Sequence, residues 1–510
     1  MNCLNHNHEA HREREKMSKY MKLVRFNRKP DKKGERSYSW ETHLRAHEEG
    51  KTEFVPADAF SKNLIVDFSG VIKEGVIFET VIHDYDHVVR DVEPRWFARV
   101  EKTCGYRVLA QFIGCSSKFW IHILSDEVHG FANAPATVEH GLTIPYIPPL
   151  SVNEEYCHDL KNYIYNCIDH EIVGEHALSP LFDENRKLIH TPRFRVGQRL
   201  ELLNYQKSTE IRVARIKEIC GRRINALVMK EDYPLGKGED YPTDEDDRQF
   251  ENKAAQYWID EGSFFIFPVG FAAVNGYSLR AMPDYIKHTK KIAEAIGKGE
   301  EPQYKPEDIT FKDLEREHVD EELMNELKVG QKFELIDPLA QQFNSLHVAS
   351  ILSFCKTPGF IIVGMDGPDA LEDSFPIYIM NLFMFPVGYS ETYGLTLEKP
   401  DGFEDNFDWA KYLKSEKAEA LPLDSFRPMP SRERLEKFQV GMRLEAADMC
   451  ENQFICPATI KSVHGRLINV NFDGWDSEFD ELYDIDSHDI LPIGWCELHN
   501  YVLQPPKRYT

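Results

Sequence analysis

An eleven-residue pattern that recurs along the chain is the strongest constraint on its fold. Three segments of the 510-residue sequence align by eye, FRVGQRLELLN from Phe194, LKVGQKFELID from Leu327 and FQVGMRLEAAD from Phe438, and a more distant copy, IKEGVIFET, starts at Ile72. The glycines at the same place in successive copies are 111 to 133 residues apart. A period of that length suits a compact domain and is too long for one turn of a solenoid. The chain is therefore predicted to hold four copies of one domain.

Each copy also ends with a similar motif. The closing segments are FPVGF (267–271), FPVGY (385–389) and LPIGW (491–495), with the looser EVHGF at 127–131. The second copy is longer by about the length of residues 231–251, a stretch rich in Glu and Asp among Gly and Pro. Such a composition is typical of a solvated surface insertion.

Between the two motifs, short β-branched and aromatic runs alternate with turn signals, which indicates strands. In the fourth copy, residues 454–463 and 467–472 are strand-like, His464-Gly465 joins them, and Asp473-Gly474 supplies the next turn. We expect a small, strongly bent antiparallel barrel in each copy.

The segments that separate the copies carry a different pattern. Residues 38–44 and 407–413 place apolar side chains at helical offsets. Each barrel is therefore predicted to have its own helical arm. Trp40 and Trp409 are expected to anchor an arm on a neighbouring barrel, because an indole combines a large apolar face with one hydrogen-bond donor.

Charge and cysteine usage narrow the classes of partner and compartment. The net charge of -24 argues against docking on DNA or an anionic membrane, since both are polyanions. The apolar runs are too short to cross a bilayer, and no secretory signal is visible. Ten cysteines form no CxxC pair, so we expect reduced thiols and an intracellular protein. The sequence calls for no cofactor and no metal, and the His-rich start with Cys3 and His6 is not taken as a metal site.

The candidate binding site lies in the fourth copy. Phe472, Trp475 and Phe479 place three aromatic faces at offsets zero, three and seven, with carboxylates between them and Asp448 upstream. Rings attract an organic cation through their quadrupole, and a carboxylate adds charge and a hydrogen-bond acceptor. The same offsets also fit one face of a helix packed into a core. Spacing alone does not separate the two interpretations.

The other copies serve as an internal comparison. Aligned on the first glycine, Asp448 corresponds to Ile82, Asn204 and Asp337. Aligned on the next strand, the aromatic trio corresponds in the first copy to Phe112, Cys115 and Phe119. The third copy has Met365 and Pro368 opposite the first two rings, and the second copy has no trio. A trio needed only for the barrel core would recur in all four copies, so the pattern favours a specialised pocket in the fourth.

The motifs of the fourth copy resemble those of malignant brain tumour (MBT) repeat proteins of the four-repeat kind. The matching text is the arm FDWAKYL and ALPLDSF, then VGMRLEAAD, ICPATIKSVHGRLINVNFDGW, FDELYD and PIGWCELHNYVLQPP. The resemblance covers nearly all of residues 401–506 and extends weakly back to about Tyr38. It implies a mainly β fold of four tandem Tudor-like (SH3-like) barrels, each with an extended helical arm, packed into one body.

The resemblance also implies a pocket for mono- or dimethylated lysine on histone tails, with a role in transcriptional repression in the nucleus. Carried over by position, the pocket residues are Asp448, Phe472, Trp475 and Phe479. The family often has Tyr where this chain has Phe479, and Asn where it has Glu451. The residues expected at the rim are Glu451, Asp473 and Asp476. Expected partners are methylated histone tails and other chromatin-repressor proteins, with no membrane and no direct DNA contact.

The predicted boundaries follow from the repeats. They are 1–36 for a basic, disordered arm, 37–150 for a degenerate first repeat, 151–285 for a degenerate second repeat with the acidic insertion, 286–400 for a degenerate third repeat, and 401–510 for the fourth repeat with an intact aromatic pocket. The basic run within the first segment is a candidate nuclear import signal.

Pocket chemistry supports a preference for lower methylation states. A mono- or dimethylammonium keeps an N–H that can bond the Asp448 carboxylate, while its methyl groups need ring faces; trimethyllysine has no N–H. A charge-assisted hydrogen bond contributes about 1.5–3 kcal/mol, and each ring about 0.5–2 kcal/mol. Desolvation and ordering offset much of this, so we expect affinities in the micromolar to millimolar range.

Three rival functions remain open on sequence alone. An enzyme is not supported, because the candidate thiols and bases form no known motif: Cys450, Cys456, Cys496, His464, His488 and His499. A protein-interaction scaffold with a vestigial pocket is the stronger alternative. Binding of methylarginine or RNA is less favoured, because the aspartate suits a compact ammonium and the chain is acidic.

Overall fold

The computed structural model describes most of the chain from Tyr38 onward. The described residues are 38–46, 53–60, 71–85, 93–131, 146–156, 158–159, 162–163, 166, 174–177, 191–205, 207–228, 255–314, 316–340, 342–400, 402–403 and 407–506. The predicted basic arm 1–36, with Cys3 and His6, and the whole of the acidic insertion 231–251 lie outside them.

Four mainly antiparallel sheets follow one another, one in each predicted repeat, so the predicted fold class is confirmed. The first sheet contains β1 (Ile77–Val81), β2 (Arg95–Cys104), β3 (Arg107–Phe112), β4 (Lys118–His122) and β5 (Val128–His129). The second contains β6 (Arg199–Leu203), β7 (Glu210–Cys220), β8 (Arg223–Val228), β9 (Ala255–Asp260), β10 (Ile266–Phe267) and β11 (Ser278–Arg280). The third contains β12 (Lys332–Leu335), β13 (Leu346–Phe354), β14 (Phe360–Met365), β15 (Phe375–Tyr378), β16 (Met384–Phe385) and β17 (Leu397–Glu398). The fourth contains β18 (Arg443–Ala447), β19 (Ile455–His464), β20 (Leu467–Phe472), β21 (Glu481–Asp484) and β22 (Ile490–Leu491).

Most helices are short, and they lie between the sheets or close to the short last strands of each sheet. They are α1 (Trp40–Ala46), α2 (Leu150–Tyr156), α3 (Phe271–Asn275), α4 (Pro283–Gly297), α5 (Glu321–Glu326), α6 (Tyr389–Tyr393), α7 (Trp409–Glu416), α8 (Arg432–Leu435) and α9 (Trp495–His499). Short 3-10 turns cover Ala57–Ala59, Leu423–Ser425 and Ser477–Phe479. The predicted strands at 454–463 and 467–472 and the predicted arm helices at 38–44 and 407–413 are confirmed within a few residues.

The four sheets share one strand order, in which the first strand lies between the second strand and the short closing strand. The long second strand is interrupted by an irregularity at the same place in every repeat, as between Ile460 and Ser462 in the fourth. A bulge bends a strand and increases its twist, so each sheet of five or six strands curls into a barrel-like shape.

Strand register tests the alignment of the repeats. Phe472 pairs with Ala458, and its counterparts by register are Phe112, Val228 and Met365. By the register of the first strands, the residues equivalent to Asp448 in the other repeats are Ile82, Asn204 and Asp337, as the sequence predicts.

One predicted equivalence is wrong. Ala110 of the first repeat is equivalent to Val470 of the fourth. Ala110 pairs with Phe119, and Val470 pairs with Glu481. Phe119 is therefore the counterpart of Glu481 and not of Phe479, because the turn before it is two residues shorter in the first repeat. The first repeat thus has Cys115 at the place of Trp475, and residues 113–118 of that turn include no aromatic ring to match Phe479.

A buried glutamate fastens the closing helix of three repeats. Glu201, Glu334 and Glu445 occupy one position in the first strand, and each accepts two backbone N–H donors from the start of the helix that closes its repeat. In the fourth repeat the donors are Gly494 and Cys496, each at 2.8 Å. Burial raises the pKa of Glu201 and of Glu445 to about 7. These bonds satisfy N–H groups that a helix start leaves without an intrahelical partner.

Two of these carboxylates also receive a donor from an arm that belongs to another repeat. The Trp409 indole N–H, from the arm before the fourth repeat, donates to Glu334 of the third repeat at 2.9 Å. The Trp40 indole N–H, from the arm before the first repeat, donates to Glu445 of the fourth repeat at 2.8 Å. The predicted anchoring role of both tryptophans is confirmed, and the first arm completes the last barrel.

Hydrophobic cores join the repeats into one body. One core cluster combines Phe78 and Trp120 of the first repeat with Trp495 of the closing helix of the fourth repeat. A second combines Phe267 and Phe271 of the second repeat with Phe360 of the third. Among the described helices, none has the length and apolar character needed to span a membrane.

Candidate functional site

The aromatic pair Trp475 and Phe479 lies on a loop at the end of β20. The Asp473-Gly474 turn reverses the chain, and Gly474 has a φ of 82°, which a side chain would strain. Asn471 holds the loop by donating to the Asp480 carboxylate at 2.5 Å. The two rings meet edge to face with centroids 5.4 Å apart, in the offset geometry that aromatic pairs prefer.

Exposure separates the three rings. Trp475 is 39% exposed and Phe479 is 43% exposed, whereas Phe472 is 3% exposed and belongs to the core of the fourth barrel. The residues do not lie on one helix, since Phe472 ends a strand and Phe479 ends a 3-10 turn. The helix-face interpretation is therefore wrong for the trio, and only Phe472 is also a core residue.

Asp448 is held by its own loop. Its Oδ1 accepts the backbone N–H of Cys450 at 2.8 Å and that of Glu451 at 2.7 Å. Among the described residues, no hydrogen bond reaches Oδ2. Partial burial raises the pKa of Asp448, which the two backbone donors oppose. This half-satisfied carboxylate has an oxygen left for a cationic ligand.

A second carboxyl group, Glu481, lies beside Asp448 and was not identified from the sequence. Oxygen atoms of the two and the Cys450 sulfur lie within 4.8 Å of one another. Glu481 is 4% exposed and accepts the Tyr483 hydroxyl and the Met449 backbone N–H. Burial, together with the Asp448 charge, raises the pKa of Glu481 to about 8. The two acids therefore titrate as a coupled pair.

The three predicted rim carboxylates differ in position. Glu451 and Asp476 are exposed. Asp473 is half-buried instead: its Oδ1 accepts the Thr459 hydroxyl at 2.7 Å, and its Oδ2 lies 3.3 Å from the Arg443 guanidinium. Its bonds tie the start of the aromatic loop to the barrel.

The equivalent places in the other repeats are built differently. Ile82 is 2% exposed and packs in a core cluster, and Asn204 donates to Glu210 at 2.9 Å. Asp337 keeps the loop geometry, accepting the Leu339 N–H at 2.9 Å, but Met365 stands in place of the first ring. Within the described part of the chain, an acidic loop and exposed rings occur together only in the fourth repeat.

Two of the candidate catalytic histidines contact oxygen atoms. His464 lies 2.7 Å from the Tyr393 carbonyl, and His488 lies 2.6 Å from the Asp260 carboxylate of the second repeat. Burial raises the pKa of Cys450 and of Cys456 to about 12, so both thiols stay protonated near neutral pH.

Comparison with known proteins finds a matching family model and similar proteins. A family model described as mbt repeat matches residues 198–286, 331–404 and 442–510. Protein lin-61 of Caenorhabditis elegans is 64% identical over 494 residues, which are 97% of this chain and 80% of that protein. Malignant brain tumor repeat protein 1 of the same organism is 39% identical, covering 92% of this chain and 87% of its own length.

A solved structure shows the same fold. The crystal structure of the four MBT repeats of Drosophila melanogaster Sfmbt, in complex with the peptide RHR(me)KVLR, superposes with a TM-score of 0.73. It covers 92% of this chain and 99% of that chain at 24% sequence identity.

Proposed function

The chain belongs to the malignant brain tumour (MBT) repeat family, and from that premise we propose that its fourth repeat binds mono- and dimethylated lysine on histone tails. The pocket is formed by Asp448, Phe472, Trp475 and Phe479. We further propose that this binding serves transcriptional repression in the nucleus, together with other chromatin-repressor proteins.

The observation that carries the proposal is that one repeat has both two half-exposed rings and a carboxylate whose Oδ2 receives no hydrogen bond from the described residues. The faces of exposed Trp and Phe rings attract a methylammonium group. Asp448 supplies the acceptor for the remaining N–H. The Sfmbt complex with a methylated-lysine peptide supports the proposal by relationship.

Methylation-state preference tests the proposed function. In a titration of the full chain with histone-tail peptides, mono- and dimethyllysine should bind more tightly than trimethyllysine, and unmodified lysine should bind most weakly. Calorimetry or fluorescence anisotropy measures the four dissociation constants. Equal affinity for all four peptides would contradict a methyl-lysine pocket. The full chain is needed because residues 38–46 and 53–60, which pack against the fourth barrel, are absent from a fragment of residues 401–510.

A pH dependence follows from the coupled acids. The pKa of Asp448 is raised and that of Glu481 is about 8, so protons leave this pair as the pH rises above the usual carboxyl range. The ligand is a cation throughout, because a lysine-type amine has a pKa of about 10.4. Affinity for a His-free dimethyllysine peptide should therefore increase from about pH 5 to about pH 8 and then level off.

The Glu481→Gln variant is the matched control for this profile. It removes one acid of the pair, so Asp448 ionises more easily and affinity should reach its plateau at lower pH. A dissociation constant that does not change with pH in the wild-type protein would rule out control by these carboxyls.

The alternative function is a scaffold with a vestigial pocket, and one observation favours it. An apolar groove of about 600 Å³ runs between the third repeat and the segment that leads into the fourth, lined by Met380, Met384, Leu423 and Met429. Leu423 is 75% exposed. The two functions are compatible, and only the pocket function requires Trp475.

A further inference from the structure

We propose that the second repeat, which has no aromatic trio of its own, positions the pocket of the fourth repeat by holding the loop that carries Asp448. This inference rests on the proposed function of that pocket. The contact point is Asn452, in the loop between β18 and β19, and the residues that hold it are Arg223 and Trp258.

Two hydrogen bonds join Asn452 to the second repeat. Its side-chain Oδ1 accepts the Trp258 backbone N–H at 3.1 Å, and its carbonyl oxygen accepts the Arg223 guanidinium. Trp258 lies in β9, which is an edge strand of its sheet. An edge strand presents N–H groups with no partner strand. The Asn452 side chain therefore accepts a hydrogen bond from a backbone N–H on the open edge of the second sheet.

The Arg223 contact is directed at this loop. Arg223 is 1% exposed, and its hydrogen bond to Asn452 is the one that its side chain makes among the described residues. The nearest acidic group is Asp489 of the fourth repeat, at 4.0 Å. A buried guanidinium is costly unless it is bonded. Both groups that offset the cost of burying Arg223 thus belong to the fourth repeat. Asn452 precedes β19 and Asp489 precedes β22, the two strands that pair with its first strand.

Aromatic packing closes the other side of the loop. The Tyr501 hydroxyl donates to the Gln453 carbonyl at 2.8 Å. The Tyr501 ring meets Trp258 edge to face at 5.2 Å and lies 5.7 Å from the Arg223 guanidinium. Residues 452 and 453 are therefore held by the second repeat and by Tyr501 together.

Asn452 is next in sequence to a residue that orients the pocket carboxylate. The Glu451 N–H that orients the Asp448 carboxylate belongs to the residue next to Asn452. A second bond, from the Phe454 N–H to the Glu451 carbonyl at 2.8 Å, closes the same turn. Displacing Asn452 would move the Glu451 peptide and with it the carboxylate. Asn452 is therefore a positioning residue, which acts on the ligand only through Asp448.

The test compares three variants in the full chain. Asn452→Ala removes the acceptor for Trp258 and should weaken binding of a dimethyllysine peptide by about three- to tenfold, as expected for the loss of one hydrogen bond. Asn452→Asp keeps an acceptor at the same place and should restore the affinity. Asn275→Ala is the matched control, because Asn275 makes an equivalent pair of bonds to Thr357 between the second and third repeats. It should leave peptide affinity unchanged.

The outcomes are distinguishable. Unchanged affinity in Asn452→Ala, or an equal loss in Asn275→Ala, would overturn the positioning role. Failure of Asn452→Asp to restore binding would also overturn it. If Trp475→Ala binds the peptide as well as the wild-type protein, the proposed pocket itself is wrong, which is a separate result.

Discussion

Replacing Trp475 with alanine in the full chain should abolish measurable binding of mono- and dimethyllysine peptides and leave the thermal unfolding temperature nearly unchanged. The indole is 39% exposed and makes its described ring contact with Phe479, which is 43% exposed. Removing a half-exposed ring creates no core cavity, so the stability cost should be below about 1 kcal/mol. Binding should fall below detection because the affinity of the wild-type protein is itself expected to be only micromolar to millimolar.

Cys115→Ala is the matched control for this variant. Cys115 follows Phe112 by three residues, as Trp475 follows Phe472, but in the first repeat. It should bind peptide as the wild-type protein does. Peptide affinity retained in Trp475→Ala would favour the scaffold function, and global unfolding of that variant would show that the ring is structural.

Replacing Trp40 with alanine should give the largest loss of stability among these variants, about 3–5 kcal/mol, because it leaves a cavity in a close-packed site. Trp40 is fully buried, packs edge to face on Tyr38 at 5.7 Å, and donates to the buried Glu445. Without that donor the Glu445 carboxyl keeps only its bonds to the closing helix. Urea unfolding of the full chain measures the effect.

Two further variants serve as controls for the predicted stability loss in Trp40→Ala. Trp409→Ala removes the equivalent indole bond from Glu334, but Trp409 is only partly buried, so its loss should be smaller. Trp40→Phe keeps most of the packing and should recover more than half of the stability. Wild-type stability in Trp40→Ala would contradict the view that the first arm completes the fourth barrel.

The sequence predicted the features that depend on local chemistry. Turn residues such as His464-Gly465 and the glycines of the repeated motif require particular backbone angles, so strands, turns and copy number could be inferred from short patterns. The arm helices were predicted for the same reason. The buried glutamate was overlooked, although a charged residue that recurs in the apolar first strand of all four copies was a usable signal.

Features that depend on long-range contacts could not be predicted. The equivalence of Phe119 and Phe479 failed because alignment at constant offset cannot detect a turn shortened by two residues. Arg223 and Asn452 are 229 residues apart, and neither carries a local signal of their contact. Asp473 was grouped with the rim on sequence position, whereas its direction is set by Arg443 and Thr459 on neighbouring strands.

The most direct test of the fourth-repeat pocket is to observe which tryptophan meets the ligand. The chain has seven tryptophans, and fluorine NMR of protein labelled with fluorotryptophan reports on each ring, with the Trp475 signal assigned by its absence in Trp475→Phe. A dimethyllysine histone peptide should shift the Trp475 signal, and the unmodified peptide should not. A shift confined to other tryptophans, with Trp475 unchanged at saturating peptide, would contradict the proposed pocket.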